Sequence, residues 1–138
     1  MTVDRRHDQL SERVIGFAIE VHRSLGPGLL EAIYEECLWL EIRRAHLNFR
    51  RQVTLPVSYK GVRLNCGYRL DLVVEDRIVV EVKATEKLMP VHEAQLLTYM
   101  RLGSIPVGLL LNFNSATLKD GIRRLQLAPQ SHCLTASL

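Results

Sequence analysis

Cysteine is scarce in this chain and badly spaced for structural chemistry. Cys37, Cys66 and Cys133 form no Cys-x-x-Cys pair and are odd in number, which argues against a zinc knot or an iron–sulfur cluster and fits reduced thiols of a cytoplasmic protein. No stretch approaches the roughly 18 unbroken apolar residues of a membrane span. The opening Met1–Gln9 is polar and charged, without the apolar centre of a secretory signal. Internal repeats, low-complexity tracts and long linkers are missing as well. These absences lead to the expectation of a soluble, cytoplasmic protein with one folded unit over residues 1–138.

What is present fits that size. A chain of 138 residues with 47% hydrophobic and 24% charged residues has the composition of an ordinary globular domain. The net charge of +3 permits an anionic partner without requiring one. Basic residues cluster as Arg43-Arg44, Arg50-Arg51 and Arg123-Arg124, and each pair taken alone reads first as solvated surface.

Leu10, Val14, Phe17 and Val21 recur at helical spacing, with Ser11 as a capping candidate. Gly26-Pro27-Gly28 ends this helix. A second helix is expected from about Leu29 to Ala45, with Leu30, Ile33, Cys37 and Leu40 as its apolar stripe, so the two form a helical hairpin. The period then changes to two. Val53, Leu55 and Val57 predict a strand that Pro56 places at an edge. Lys60-Gly61 turns into a second strand, Val62–Val74, with an interruption expected at Gly67. A third strand is expected over Ile78–Ala84, a helix over Val91–Leu102, and a strand over Val107–Leu111, whose nearly all-apolar composition suits burial on both faces. A last strand is expected near Ile122–Leu127, and the final ten residues read as loosely held. The order defines an α/β class: a central mixed β-sheet flanked by helices and preceded by the helical hairpin.

The chemistry concentrates on the hairpin around Glu75-Asp76-Arg77. Alternation sends Leu70, Leu72 and Val74 one way and Arg69, Asp71 and Val73 the other. On the next strand Ile78, Val80 and Val82 share a face, opposite Val79, Glu81 and Lys83. Only one parity of register joins the apolar sets; it pairs Leu72 with Val80 and sets Asp71 opposite Glu81. Facing carboxylates destabilise a sheet unless a counter-charge relieves them. A hard divalent ion would do so, and a neighbouring lysine can orient water or neutralise a phosphate. The same residues also read as an exposed sheet face with Lys83 as a salt-bridge partner.

Two further features bear on the choice. His92, Gln95 and Tyr99 share one face of the third helix, as an ordinary polar face also would. Glu31 falls in the first turn of the second helix, where the helix dipole favours a carboxylate in any case, and Tyr34 reads as a core or boundary aromatic.

Gly28, Glu31 and Tyr34 spell Gly-x-x-Glu-x-x-Tyr. With Tyr68-Arg69-Leu70-Asp71-Leu72, Glu81-Val82-Lys83-Ala84, His92 to Tyr99 and Gly108 to Asn114, the chain resembles the GxxExxY protein family over about residues 10–127. That family is placed in the PD-(D/E)XK nuclease superfamily of restriction-endonuclease-like folds. The resemblance implies a restriction-endonuclease-like core and a metal site of Asp71 and Glu81, with the Val82 carbonyl and Glu31 as further ligands. Lys83 would be the catalytic lysine, and Glu31 would share in the catalytic set. Gln95 and Tyr99 resemble a Gln-x-x-x-Tyr motif that approaches the substrate strand; Tyr34 and Arg69 are added as nucleic-acid contacts, and His22 is the nearest match to an early metal-binding histidine. Leu70 stands where the superfamily's leading proline would be.

The function expected is a Mg²⁺- or Mn²⁺-dependent nuclease acting on nucleic acid, DNA above all, in processing, repair or defence. One alternative is a non-catalytic nucleic-acid-binding module, with Arg43, Arg44, Arg50 and Arg51 on phosphates. Another is a partner-dependent subunit, as a homodimer or with a second protein.

Overall fold

The computed structural model describes residues 5–128, without the side chains of Arg5, Arg6, Asn65, Cys66 and Tyr68. The expectations for Met1–Asp4, for Cys133 and for the final ten residues lie outside the described residues. The order is α1 (Arg5–Leu25), α2 (Glu31–Arg44), β1 (Phe49–Tyr59), β2 (Val62–Val74), β3 (Ile78–Lys83), α3 (Pro90–Gly103), β4 (Val107–Asn112), a 3-10 turn (Leu118–Gly121) and β5 (Ile122–Gln126). The strands form one mixed sheet in the order β1-β2-β3-β4-β5. β3 and β4 run parallel and are joined through α3, and the other neighbours are antiparallel. This is the expected α/β architecture, consistent with a restriction-endonuclease-like core, with Pro56 on an edge strand as its missing N–H requires.

Two apolar layers cover the sheet. Val14, Ala18 and Val21 of α1 and Tyr34, Leu38 and Ile42 of α2 pack on Leu72, Val74, Ile78, Val80, Val82 and Leu109. Leu96 and Met100 of α3 pack on Leu70, Val73, Val79 and Leu110 on the other side. All six residues of β4 are buried, which explains its lack of alternation. Among the described residues no helix is long and apolar enough to cross a membrane.

Several local expectations are corrected. α1 begins at Arg5, so Ser11 is not a cap. Ser11 lies inside the helix, where its hydroxyl donates to the Asp8 carbonyl and accepts from Arg124 Nε at 3.1 Å. Arg124 also pairs with Asp8 at 2.7 Å, so this polar cluster ties β5 to α1. In α2 most of the expected stripe faces outward: Leu30 is 73% exposed, and Ile33 and Leu40 are exposed too, while Cys37 is partly buried against the core. The inward stripe is Tyr34, Leu38 and Ile42, one residue out of phase. α2 is apolar on two faces, so helical period alone does not choose between them.

The strict alternation of β2 also fails at one point. Leu70 packs with Val73 on the α3 side, while Leu72 and Val74 face α1 and α2. The change coincides with an irregularity in the β1–β2 ladder. Gln52 adopts φ +51°, and the β1–β2 pairing steps from Arg51↔Leu72 to Val53↔Leu70, leaving Gln52 and Asp71 outside the ladder. An irregularity of this kind shifts which face the following side chains occupy.

Candidate active site

The β2–β3 ladder has the predicted register, with Leu72↔Val80, Val73↔Val79 and Val74↔Ile78. Main-chain pairing stops there, one position short of Asp71 and Glu81. β2 continues beside β1, while β3 continues beside β4 as far as Lys83↔Asn112. The two strands therefore part at Asp71 and Glu81, and the side chains take over the hydrogen bonding. Val82 N donates to Asp71 Oδ2 at 2.8 Å, and Asp71 N donates to Glu81 Oε1 at 3.2 Å. Each carboxylate keeps a second oxygen, Asp71 Oδ1 and Glu81 Oε2, that takes no hydrogen bond from a described residue.

Burial dominates the electrostatics. Removal from water pushes Glu81 up to about 8, with the Asp71 charge adding to the rise and the Asp71 N–H and Lys83 opposing it. Burial likewise pushes Asp71 up to about 6; the Val82 N–H and Lys83 pull it down, while Glu35 and Glu31 push it up. The two carboxyls titrate as a pair, which around neutral pH holds a proton that water-exposed carboxyls would have released. A cation placed between them would favour the charged form of both.

Glu31 opens α2 and is exposed; its Oε2 accepts from Ala84 N at 3.3 Å, where β3 ends. Sequence reasoning missed Glu35, one turn further on the same helix. It is almost buried, accepts from Gln52 Nε2 at 2.6 Å, and its charge is felt by both Asp71 and Glu81. The signal was the four-residue spacing from Glu31 beside Tyr34, hidden by the misphased stripe. Buried Asn112 fixes the exit of β3: its side chain accepts from Thr85 N and donates to Thr85 O, which holds the segment after Lys83 against β4.

Other candidates lie elsewhere. The Tyr34 ring is fully buried, stacked 4.6 Å from Phe113. Its hydroxyl donates to the Gly26 carbonyl at 2.6 Å and accepts from Leu29 N at 3.0 Å. It shapes the Gly26-Pro27-Gly28 turn, whose glycines take φ +71° and +99°, and leaves no surface for a nucleic acid. His22 is buried too, with Nε2 2.8 Å from the Ser115 carbonyl, and lines a cleft of about 410 Å³ with Ile19, Arg23 and Leu118. His92 closes the start of α3 by accepting from Met89 N through Nδ1 at 2.9 Å. Gln95 is exposed on α3, and Tyr99 packs partly buried on the α3-side core. Arg69 is exposed, paired with Thr54 across the β1–β2 hairpin.

Among the described residues no three His, Cys, Asp or Glu side chains converge closely enough to form a complete protein cage for a metal ion. What converges is a pair of carboxylates beside a main-chain segment, all oxygen donors. That fits a hard divalent ion, which accepts oxygen ligands and keeps waters in its remaining positions.

A mixed sheet with α3 joining its parallel strands, preceded by a helical pair, is an α/β fold consistent with the restriction-endonuclease-like class. The sequence profile of the PD-(D/E)XK nuclease superfamily matches residues 8–125, and the chain belongs to that superfamily. No curated protein and no solved structure is significantly similar to it.

Proposed function

We propose that the protein is a metal-dependent nuclease of the GxxExxY type that hydrolyses phosphodiester bonds of DNA as one domain over residues 1–138. One observation carries this reading: Asp71 and Glu81 face each other, each with a free oxygen, at the point where β2 and β3 separate. Asp71, Glu81 and the Val82 carbonyl would hold Mg²⁺ or Mn²⁺, with Glu31 or Glu35 completing the acidic surround. When bound, the ion supplies Lewis acidity and lowers the pKa of a water molecule. The remaining work falls to the chain. Lys83 places a positive charge beside the carboxylates, where it orients the attacking water and balances charge building on the phosphate. Gln95 and Tyr99 position the strand from α3, and Arg69 meets a phosphate. Tyr34 acts at one remove, by fixing the turn that presents Glu31. The cellular setting that suits this chemistry is cytoplasmic nucleic-acid processing, repair or defence.

The test is cleavage of labelled single- and double-stranded DNA with Mg²⁺ or Mn²⁺ by wild type, Asp71→Ala and Lys83→Ala prepared identically. Loss in both variants with the fold intact supports the reading. Equal activity in all three samples sinks it. A partner-dependent enzyme draws support from the exposed Leu30, Met89 and Val91, which are 73%, 49% and 56% accessible. It predicts that wild type alone is inactive.

A further inference from the structure

The β1–β2 hairpin outruns the rest of the sheet. β2 pairs with β1 from Val62 to Val74 but with β3 only from Leu72 to Val74. Val53 and Leu55 seat the base of the hairpin on the α3-side core, whereas no residue from Pro56 to Leu64 belongs to either apolar core. The bend is built in: pairing steps from Pro56↔Gly67 to Val57↔Leu64, and a Cβ at Gly67 would collide with the Leu55 carbonyl. The outer half is thus a defined arm held by its own ladder.

Its charge is one-sided. Residues 53–70 contain Lys60, Arg63 and Arg69 and not one Asp or Glu, in a chain that has 15 of them. Position sharpens the bias. Paired residues share a face, so Thr54 sits beside Arg69 on the face turned away from α3, Ser58 sits beside Arg63 further out on the arm, and all four are exposed. Asp71 follows Arg69 by two residues, about 7 Å further along β2, where the ladder breaks. Hydroxyl-and-arginine pairs therefore line the arm from its outer half to Arg69, two residues short of Asp71, with Lys60 at the tip. Exposed cations with no ion pair among the described residues, beside hydroxyl donors, suit the repeating anion of a phosphodiester backbone.

We infer that the β1–β2 arm binds the sugar-phosphate backbone of the nucleic-acid strand leading away from the Asp71–Glu81 site, through Lys60, Arg63 and Arg69 with Thr54 and Ser58. The inference rests on the nuclease reading and names the surface that holds its substrate. It does not depend on base sequence, so affinity is set by phosphate contacts and falls with salt.

The experiment measures binding of the full chain to a labelled oligodeoxynucleotide, single-stranded and as a duplex, by fluorescence anisotropy in chelator across a salt series. Lys60→Ala/Arg63→Ala/Arg69→Ala should flatten the plot of log affinity against log salt by about 0.7 to 0.9 for each phosphate left without its cation. At low salt its affinity should fall at least about tenfold. Arg63→Lys/Arg69→Lys keeps the charges and should keep most of the slope. Arg13→Ala/Lys119→Ala/Arg123→Ala removes the same charge elsewhere and should leave the slope alone. Equal losses in the arm and control variants would make the effect one of net charge and overturn the inference, as would an arm variant that binds like wild type. If wild type still cleaves DNA in those two cases, the nuclease reading survives without the arm. A wild type that neither binds nor cleaves takes both down.

Discussion

The two ends of β2 share a strand and a hairpin ladder but differ in what lies against them. At Leu72–Val74 the strand is sandwiched between α1–α2 and α3, and every side chain is buried. Beyond Pro56↔Gly67 the same ladder stands in solvent, and Ser58 to Arg63 are all exposed. Between these extremes lies Asp71, where pairing to β3 ends and a carboxylate takes up a main-chain N–H. The buried end supplies rigidity and the low dielectric that raises the carboxyl pKa values. The exposed end supplies accessible charge. A metal-assisted hydrolase acting on a polyanion needs both, and one strand carries them in sequence.

The contrast is broken most strongly at the buried end. Leu110→Ala removes a fully buried side chain between β4 and the α3 layer. It should cost about 2–5 kcal/mol of stability, measured by urea denaturation. A cost under about 1 kcal/mol would mean that the α3 layer is not close-packed. Asp71→Asn tests the junction. The amide oxygen can still accept from Val82 N, but a charge is removed from beside Glu81. Cleavage should fall by about a hundred- to a thousandfold while stability at neutral pH holds or rises, because a functional strain has been released. Loss of both activity and stability would make Asp71 a structural residue.

The pH dependence of stability sharpens the same point. Glu81 has its folded pKa raised from 4.5 to about 8. Between those values the folded protein holds a proton that the unfolded chain has released, so stability is fullest below about 4.5 and declines as pH rises through 8. The total decline is on the order of a few kcal/mol. Glu81→Gln should flatten the upper part of this slope in chelator. Mg²⁺ should oppose the decline in wild type, since it binds the folded, deprotonated pair. Wild-type stability that rises from pH 5 to 8 in chelator would contradict the buried pair.

Much of this geometry was legible in the sequence. The period-two pattern of Ile78, Val80 and Val82 permits one register, and that register brings Asp71 to Glu81 before any fold is known. Gly26 and Gly28 mark the turn before α2 for an equally local reason. What could not be read is tertiary in origin. Glu35 was hidden because α2 offers two apolar stripes, and only packing against the sheet selects Tyr34, Leu38 and Ile42. The face of Leu70 changes where Gln52 and Asp71 drop out of the β1–β2 ladder, a break that period two along one strand does not reveal. Tyr34 was divided between core and substrate until its hydroxyl had visible partners at Gly26 and Leu29. Replacing it tests that assignment: Tyr34→Phe keeps the stacking on Phe113 but leaves Leu29 N without its acceptor. A loss of about 1–3 kcal/mol is expected by denaturation, with a smaller drop in cleavage as Glu31 loses its setting. A drop in nucleic-acid affinity at unchanged stability would instead place Tyr34 at the substrate.

The smallest effect belongs to the arm, and it separates the arm from its base. Leu55 and Val57 lie two residues apart on β1, on either side of the register shift. Leu55 packs on the α3 layer, whereas Val57 pairs with Leu64 across the hairpin and belongs to neither apolar core. If the boundary at Pro56 is real, Leu55→Ala should cost measurable stability, about 1 kcal/mol or more for a half-buried leucine. Val57→Ala should stay within about 0.5 kcal/mol, as surface changes do. Hydrogen exchange gives the same comparison without mutation, because amides that open locally exchange faster than those released only by global unfolding. Val57–Leu64 amides should exchange well ahead of Leu72–Val74. Matching protection across the whole length of β2 would mean that the arm is packed on something, and the open platform would lose its basis.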